Sequence, residues 1–296
     1  MAPCRALRRG IAAVSLIAFL PGCHHSPATK PAPAPPTAPR AAKADGELYL
    51  PRGVTREKVM IECTDGYRMY GEYVKRERPA RNMPGVIFLH DFASDRNKWY
   101  PLNYLTGARG YAVLSLDLRG HGGSPALTGN PPTRYDKLTP EDFQKMVQDV
   151  RNAVSFLAMK RDVAGNLIAI AGIGMGANIA LLAAAEPWAE SVRCVILLSP
   201  GDDYHGIDIS GAAGKLKDKR VYIAVGKKDE YSYSSTLKIR QLIKGPIEIL
   251  EDESDAHGVQ MIGKGVIAKL PYWLNESIMA PIIKEENKSA RKSRSR

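Results

Sequence analysis

The stretch that decides the fold is "LIAIAGIGMGAN", Leu167 to Asn178. It begins with an apolar run that is typical of a buried strand. It then passes through Gly172, Gly174 and Gly176 into small apolar residues that favour a helix. Because glycine accepts positive φ angles and lets backbone segments approach closely, the alternation predicts a tight strand-to-helix turn.

Strand and helix patterns alternate on both sides of this turn. Two β-patterned runs surround Asp65-Gly66 and predict an opening hairpin. The alternation that follows predicts one α/β domain over residues 47–283, with a mostly parallel, doubly covered sheet and little or no cap domain. The other predicted strands lie at 84–90, from 111, and at 192–198, 221–225 and 247–250, and the predicted helices at 100–109, 140–159, 175–185, 233–243 and from 258.

One interpretation of the glycines is a dinucleotide-binding turn. Gly172, Gly174 and Ala177 form a G-x-G-x-x-A string, in which glycines admit a pyrophosphate to the helix N-terminus. Two observations weigh against it. The unit follows three earlier strands, and the next strand ends at Ser199, where a ribose-binding acid is expected.

The other interpretation uses more of the chain. "GIGMG" has the frame of the nucleophile elbow G-x-S-x-G. Together with "FLHDF", "DLRGHGGS", "AVGKKDE" and "DAHG", in that order, it makes the chain resemble the α/β-hydrolase superfamily from Glu57 to Trp273. The resemblance is to small, cap-poor members of the esterase and dienelactone-hydrolase kind. It implies an α/β-hydrolase fold.

The resemblance also assigns site residues. Asp229 corresponds to the acid and His257 to the base, and the amides of Phe92 and Met175 correspond to the oxyanion hole. Gly174 takes the nucleophile position, where the family has serine. No side chain at Gly174 can attack a carbonyl or form an acyl-enzyme. We therefore expect a remnant acid–base pair without its nucleophile.

Asp91 is a second departure from the family, because glycine commonly follows the strand-end histidine. A carboxylate directed into the oxyanion hole would oppose the charge that develops there. Ser199 precedes Pro200-Gly201 and is interpreted as a turn residue rather than a displaced nucleophile. The polar residues assigned no catalytic role are Asp117, Arg119, His121 and His205, of which His205 has no partner visible in the sequence.

Three functions remain open. The first is a binding or scaffolding protein that has lost serine chemistry. The second is an active esterase or amidase that uses water activated by His257 and Asp229, or another nucleophile. The third is dinucleotide binding. For the preferred first function no cofactor or metal is predicted, and Cys63 and Cys194 are expected to be buried free thiols because neither has a ligand-spaced partner.

The N-terminus is typical of an export signal. Arginines precede an apolar run at 11–19 that is too short to span a bilayer. The following "LPGC" resembles the lipobox of bacterial lipoproteins, which implies a signal peptide at 1–22 and a lipidated Cys23. The Pro/Ala-rich segment 23–46 is expected to be an extended tether. His24 after the cysteine implies sorting to the outer membrane, facing the periplasm.

The distribution of charge along the chain limits the classes of binding partner that are expected. The net charge is +11, and residues 284–296 carry six basic and two acidic residues. This basic tail is expected either to bind anionic envelope components or to act as a disordered solubilising end. The rest of the chain is only mildly basic, so no nucleic acid partner is expected. The small-molecule or acyl ligand is not identified by the sequence.

Overall fold

The computed structural model describes residues 50–124 and 134–280, which belong to one compact unit. The predicted signal peptide, Cys23, the tether and the basic tail at 284–296 lie outside the described residues. No helix among the described residues is long and apolar enough to cross a membrane.

The domain is built on an eight-stranded sheet. The strands are β1 Val54–Glu62, β2 Arg68–Arg76, β3 Met83–Leu89, β4 Ala112–Leu116, β5 Val163–Ile173, β6 Val192–Leu198, β9 Arg220–Gly226 and β10 Ile247–Asp252, with a separate ribbon of β7 Asp203–Tyr204 and β8 Ile207–Asp208. Their order in the sheet is β1-β2-β4-β3-β5-β6-β9-β10. β1 and β2 form the predicted antiparallel hairpin, β2 pairs antiparallel with β4, and the other pairs in the sheet are parallel. This arrangement confirms the predicted α/β-hydrolase fold.

Helices cover the sheet. Every residue of β3 and β4 is buried, as expected for parallel strands that are covered on both faces. The longest helix starts at a capping box formed by Thr139 and Asp142. The helices are α1 Leu102–Ala108, α2 Pro140–Ala158, α3 Met175–Ala185, α4 Ser210–Ala213, α5 Glu230–Leu242 and α6 Ile267–Leu274.

The strand-to-helix turn between β5 and α3 has the predicted tight geometry. Gly174 has a φ of +51° and a ψ of −116°. A Cβ on Gly172 would overlap the carbonyl of Gly176, and a Cβ on Gly176 would overlap the carbonyl of His90. The flanking glycines are therefore required by close backbone contacts on both sides of the turn.

The main differences from the predicted elements lie in the C-terminal half. α5 begins at Glu230 rather than residue 233, because the Asp229 side chain accepts a hydrogen bond from the Ser232 amide and caps the helix. The last helical segment begins at Gln260, close to the predicted start near Gly258, and then passes through a π-helical turn at Ile262–Val266 that was not predicted. The ribbon of β7 and β8 was not predicted, because two-residue strands leave no periodic pattern.

The loop after β4 is held by a buried ion pair. Arg119 donates two hydrogen bonds to Asp149 of α2, at 2.9 and 2.7 Å, and its guanidinium lies 4.1 Å from the ring centroid of Tyr67. In the same loop, Asp117 accepts hydrogen bonds from the amides of Arg96 and Gly123, each at 2.8 Å. These contacts give the loop after β4 a structural role.

We expect Asp149→Ala to destabilise the domain by about 3 kcal/mol, because it removes the buried partner of Arg119 and leaves only the more exposed Asp65, 2.8 Å away, to pair with the guanidinium. The free energy of unfolding, measured by chemical denaturation, checks this. Lys145→Ala is the matched control in the same helix, because Lys145 pairs with Glu141 at the surface. That change should cost no more than about 0.5 kcal/mol. A loss below about 1 kcal/mol for Asp149→Ala would contradict a structural role for the pair.

Candidate functional site

Four segments meet at the carboxyl edge of the parallel strands, which is where ligands bind in open α/β sheets. Each segment directly follows a strand or begins in the loop after it. The residues that they bring together are Asp91 and Phe92 after β3, Gly174 and Met175 after β5, Asp229 after β9, and His257 after β10. All the residues assigned by the resemblance thus lie in one region, together with Asp91.

His257 and Asp229 form a close pair. The distance from His257 Nδ1 to Asp229 Oδ2 is 2.6 Å. Asp229 is largely buried, whereas the His257 side chain is 41% exposed. A carboxylate on Nδ1 keeps the proton there and leaves Nε2 as the acceptor. The pair therefore has the arrangement of a base and the carboxylate that orients it.

The Asp91 carboxylate points inward and lies in the predicted oxyanion hole. Its Oδ1 accepts hydrogen bonds from the amides of Phe92, at 2.7 Å, and of Met175, at 2.9 Å. These are the two donors that the sequence indicated for the hole. Both are already bonded to a carboxylate of the chain itself, so the hole holds an internal occupant.

Gly174 makes this arrangement possible. A Cβ at Gly174 would overlap the Asp91 carboxylate, so any side chain on the turn would compete with Asp91 for the same space. The Gly174 amide donates to the Leu198 carbonyl at 2.9 Å, which ties the turn to the neighbouring strand β6. The absence of a side chain at Gly174 and the inward direction of the Asp91 carboxylate are thus sterically coupled.

His90 is a buried residue whose role the sequence did not reveal. Its Nε2 accepts a hydrogen bond from the Leu118 amide at 2.9 Å, so its proton lies on Nδ1. Nδ1 in turn donates to the Asp91 carbonyl at 2.6 Å. Burial, followed by the proximity of His121, lowers the pKa of His90 to about 3. His90 therefore stays neutral and fixes the backbone that carries Asp91.

Ser199 is placed in a structural position. It is fully buried, and its Oγ accepts a hydrogen bond from the Gly258 amide at 2.8 Å. Its φ of +51° resembles that of a nucleophile elbow, but no helix begins directly after it. Ser199 thus anchors the loop that carries His257 rather than presenting a hydroxyl to the cleft.

His205 has partners that the sequence did not indicate. Its ring packs against Phe92, with centroids 4.0 Å apart, and stacks on Phe143, at 5.0 Å. It lies at the turn between β7 and β8. Because these contacts join residues far apart in the chain, no local pattern could have predicted them. His205 therefore packs against one of the residues whose amide forms the hole.

A cleft of about 330 Å³ opens beside the Asp91 carboxylate. Lys98 and Gln260 contribute polar groups, and Ile173 contributes an apolar wall. Within residues 50–124 and 134–280, no group of three or more His, Cys, Asp or Glu side chains is arranged to hold a metal ion. The other lining residues are Asp91–Ser94 and His257–Val259.

Sequence comparison gives a family match. Residues 83–236 match the family described as Serine aminopeptidase, S33. Two uncharacterized proteins of Mycobacterium tuberculosis, from strains CDC 1551 / Oshkosh and ATCC 25618 / H37Rv, are each 31% identical over 152 residues. The match covers 51% of this chain and 47% of each relative, so it spans about half the length of these proteins.

Solved structures of esterases share the fold. An acetyl xylan esterase from Paenibacillus sp. R4 aligns with a TM-score of 0.64 at 18% identity, covering 76% of this chain and 85% of the esterase. A Pyrococcus furiosus esterase aligns with a TM-score of 0.58 at 19% identity, covering 76% of this chain and 91% of the esterase. At these identities the similarity establishes the fold alone.

We expect Gly174→Ser alone to remain inactive toward p-nitrophenyl acetate. The new side chain would overlap Asp91, and both amides would still be bonded to the carboxylate. The double variant Gly174→Ser/Asp91→Gly should hydrolyse the ester, because each freed amide contributes about 100- to 1,000-fold to the rate. Initial rates of the two variants measure the difference.

Asp91→Gly alone is the matched control, because it opens the hole without supplying a nucleophile. It should stay at the background rate. Equal activity of the single Gly174→Ser variant and the double variant would show that Asp91 does not block the site. Inactivity of a folded double variant would show that His257 and Asp229 are not in working geometry.

Proposed function

The chain belongs to the serine aminopeptidase S33 family of α/β-hydrolases, and from this premise we propose that it has lost serine-nucleophile catalysis and binds a ligand in the bacterial cell envelope. The observation that carries the proposal is the Asp91 carboxylate bonded to the amides of Phe92 and Met175. With Gly174 at the turn, this site has neither a nucleophile nor a free oxyanion hole. Its open cleft remains available to a ligand.

Hydrolysis without serine is the second candidate. The 2.6 Å contact between His257 and Asp229 favours it, because such a pair is able to activate water. A tetrahedral intermediate, however, would need the two amides that Asp91 occupies. Loss of a triad serine leaves only residual catalysis even where the hole is free, so we rank this candidate below ligand binding.

Dinucleotide binding has less support. A pyrophosphate would need the amides at the N-terminus of α3. The first of these, on Met175, donates to Asp91. A second negative charge beside this carboxylate would be repelled, so we do not include a dinucleotide in the proposal.

The location of the protein is proposed from its N-terminal sequence. The "LPGC" segment supports lipidation at Cys23, and the Pro/Ala-rich residues 23–46 suit a tether that holds the domain away from the bilayer. Residue His24 supports the outer membrane, with the domain facing the periplasm. The basic tail at 284–296 is proposed to bind anionic envelope components.

The full chain, purified in detergent, should show no turnover above background on a panel of short acyl esters and amides. It should also resist labelling by a fluorophosphonate, which reacts with activated serines, because no serine occupies the turn. The double variant Gly174→Ser/Asp91→Gly is the positive control for both assays. Ester turnover by the native chain that His257→Ala abolishes would overturn the proposal in favour of the second candidate.

Cys23→Ser should move the protein from the membrane fraction to the soluble fraction of a diderm bacterium, and should abolish incorporation of radiolabelled palmitate. The reason is that the acyl chains on this thiol would provide the anchor. Cys4→Ser is the matched control, because Cys4 precedes the apolar run and should not be lipidated. Continued membrane attachment of Cys23→Ser would contradict a lipid anchor at this residue.

A further inference from the structure

The two convergent amides suggest a site for an anion, but the group that the site presents to a ligand is itself a carboxylate. Two N–H groups directed at one point suit a negatively charged atom. In this protein, however, Asp91 Oδ1 satisfies both of them, at 2.7 and 2.9 Å. An anionic or carbonyl ligand would find neither donor free, and would also meet the charge of the carboxylate.

The group presented to the cleft instead is the second oxygen of Asp91. His257 Nε2 lies 3.8 Å from Oδ2, which is beyond hydrogen-bond distance. Among the residues that the structure describes, no hydrogen bond reaches Oδ2, although a carboxylate oxygen has room for about two. The Asp91 side chain is 31% exposed and lines the cleft. It is therefore a charged acceptor with unused capacity.

The charges around the cleft favour a cation. Asp229 adds a second carboxylate directly behind His257. Lys98 is the one cationic side chain among the described lining residues, and no ion pair joins it to Asp91. Two carboxylates and one ammonium thus surround the cleft, and the His257 imidazole lies between the two carboxylates. Phe92 and the exposed Val259 supply apolar surface for a short hydrocarbon chain.

We propose that the cleft binds a small organic cation, a protonated primary amine, whose ammonium donates a hydrogen bond to Asp91 Oδ2. The proposal rests on the ligand-binding function proposed above and adds the chemical class of the ligand. A volume of about 330 Å³ suits a small molecule rather than a polymer segment. Carboxylates of the same size are excluded, because Asp91 has taken the donors that would bind them.

The test compares n-butylammonium chloride with sodium butyrate, which have similar size and opposite charge. Binding to the full chain in detergent at neutral pH is measured by calorimetry. Native protein should bind butylammonium and not butyrate. Asp91→Asn should weaken amine binding by about tenfold or more, because it removes the charge but keeps the shape. Asp91→Gly should reverse the preference, because it frees both amides for butyrate.

Lys98→Gln gives an independent check that does not touch Asp91. It should strengthen butylammonium binding, because it removes the opposing charge at the cleft. The inference is overturned if native protein does not bind butylammonium, if it binds butyrate as well as the amine, or if Asp91→Asn leaves amine affinity unchanged. Native binding of butyrate would still leave a ligand-binding protein, whereas His257-dependent ester turnover would overturn the proposed function itself.

Discussion

The Asp91 carboxylate, bonded through one oxygen to the amides of Phe92 and Met175, is the interaction on which the rest of the site depends. It joins the segment after β3 to the first turn of α3. It also requires the absence of a side chain at Gly174, because a Cβ there would overlap the carboxylate. Gly174 and the inward Asp91 carboxylate therefore depend on each other. The space that a side chain at residue 174 would need is the space that the carboxylate fills.

Two amides that are bonded to an internal carboxylate differ from two free amides in their response to a substrate oxygen. In a hydrolase the two amides are preorganised donors that strengthen their bonds as charge develops. Here the same amides already donate to a negatively charged carboxylate. A substrate oxygen could accept from them only if these hydrogen bonds broke, which would leave the carboxylate without its donors. His90 adds to the constraint, because its Nδ1 proton is donated to the Asp91 carbonyl from a fully buried ring. The carboxylate is held both by its side-chain bonds and by its backbone.

Local sequence patterns were sufficient to predict the fold, whereas the geometry of the site depends on contacts between residues that are distant in sequence. The alternating glycines of the turn and the apolar run of β3 are local signals, and both elements form where they were predicted. The direction of Asp91 depends on the φ angle of Gly174 and on free space across two strands, which no local pattern encodes. The same limit applies to His205, whose packing against Phe92 depends on a ribbon of two-residue strands.

The close contact between His257 and Asp229 does not by itself argue for catalysis, because both residues lie in segments that have structural roles. Asp229 caps α5 through the Ser232 amide, and its replacement would leave that helix end without a side-chain partner. The loop that carries His257 is fixed to β6 by the hydrogen bond from Gly258 to Ser199. The imidazole is then placed 2.6 Å from a carboxylate that the helix already holds in position. Helix capping and loop anchoring thus maintain the geometry of an acid–base pair whether or not a reaction uses it.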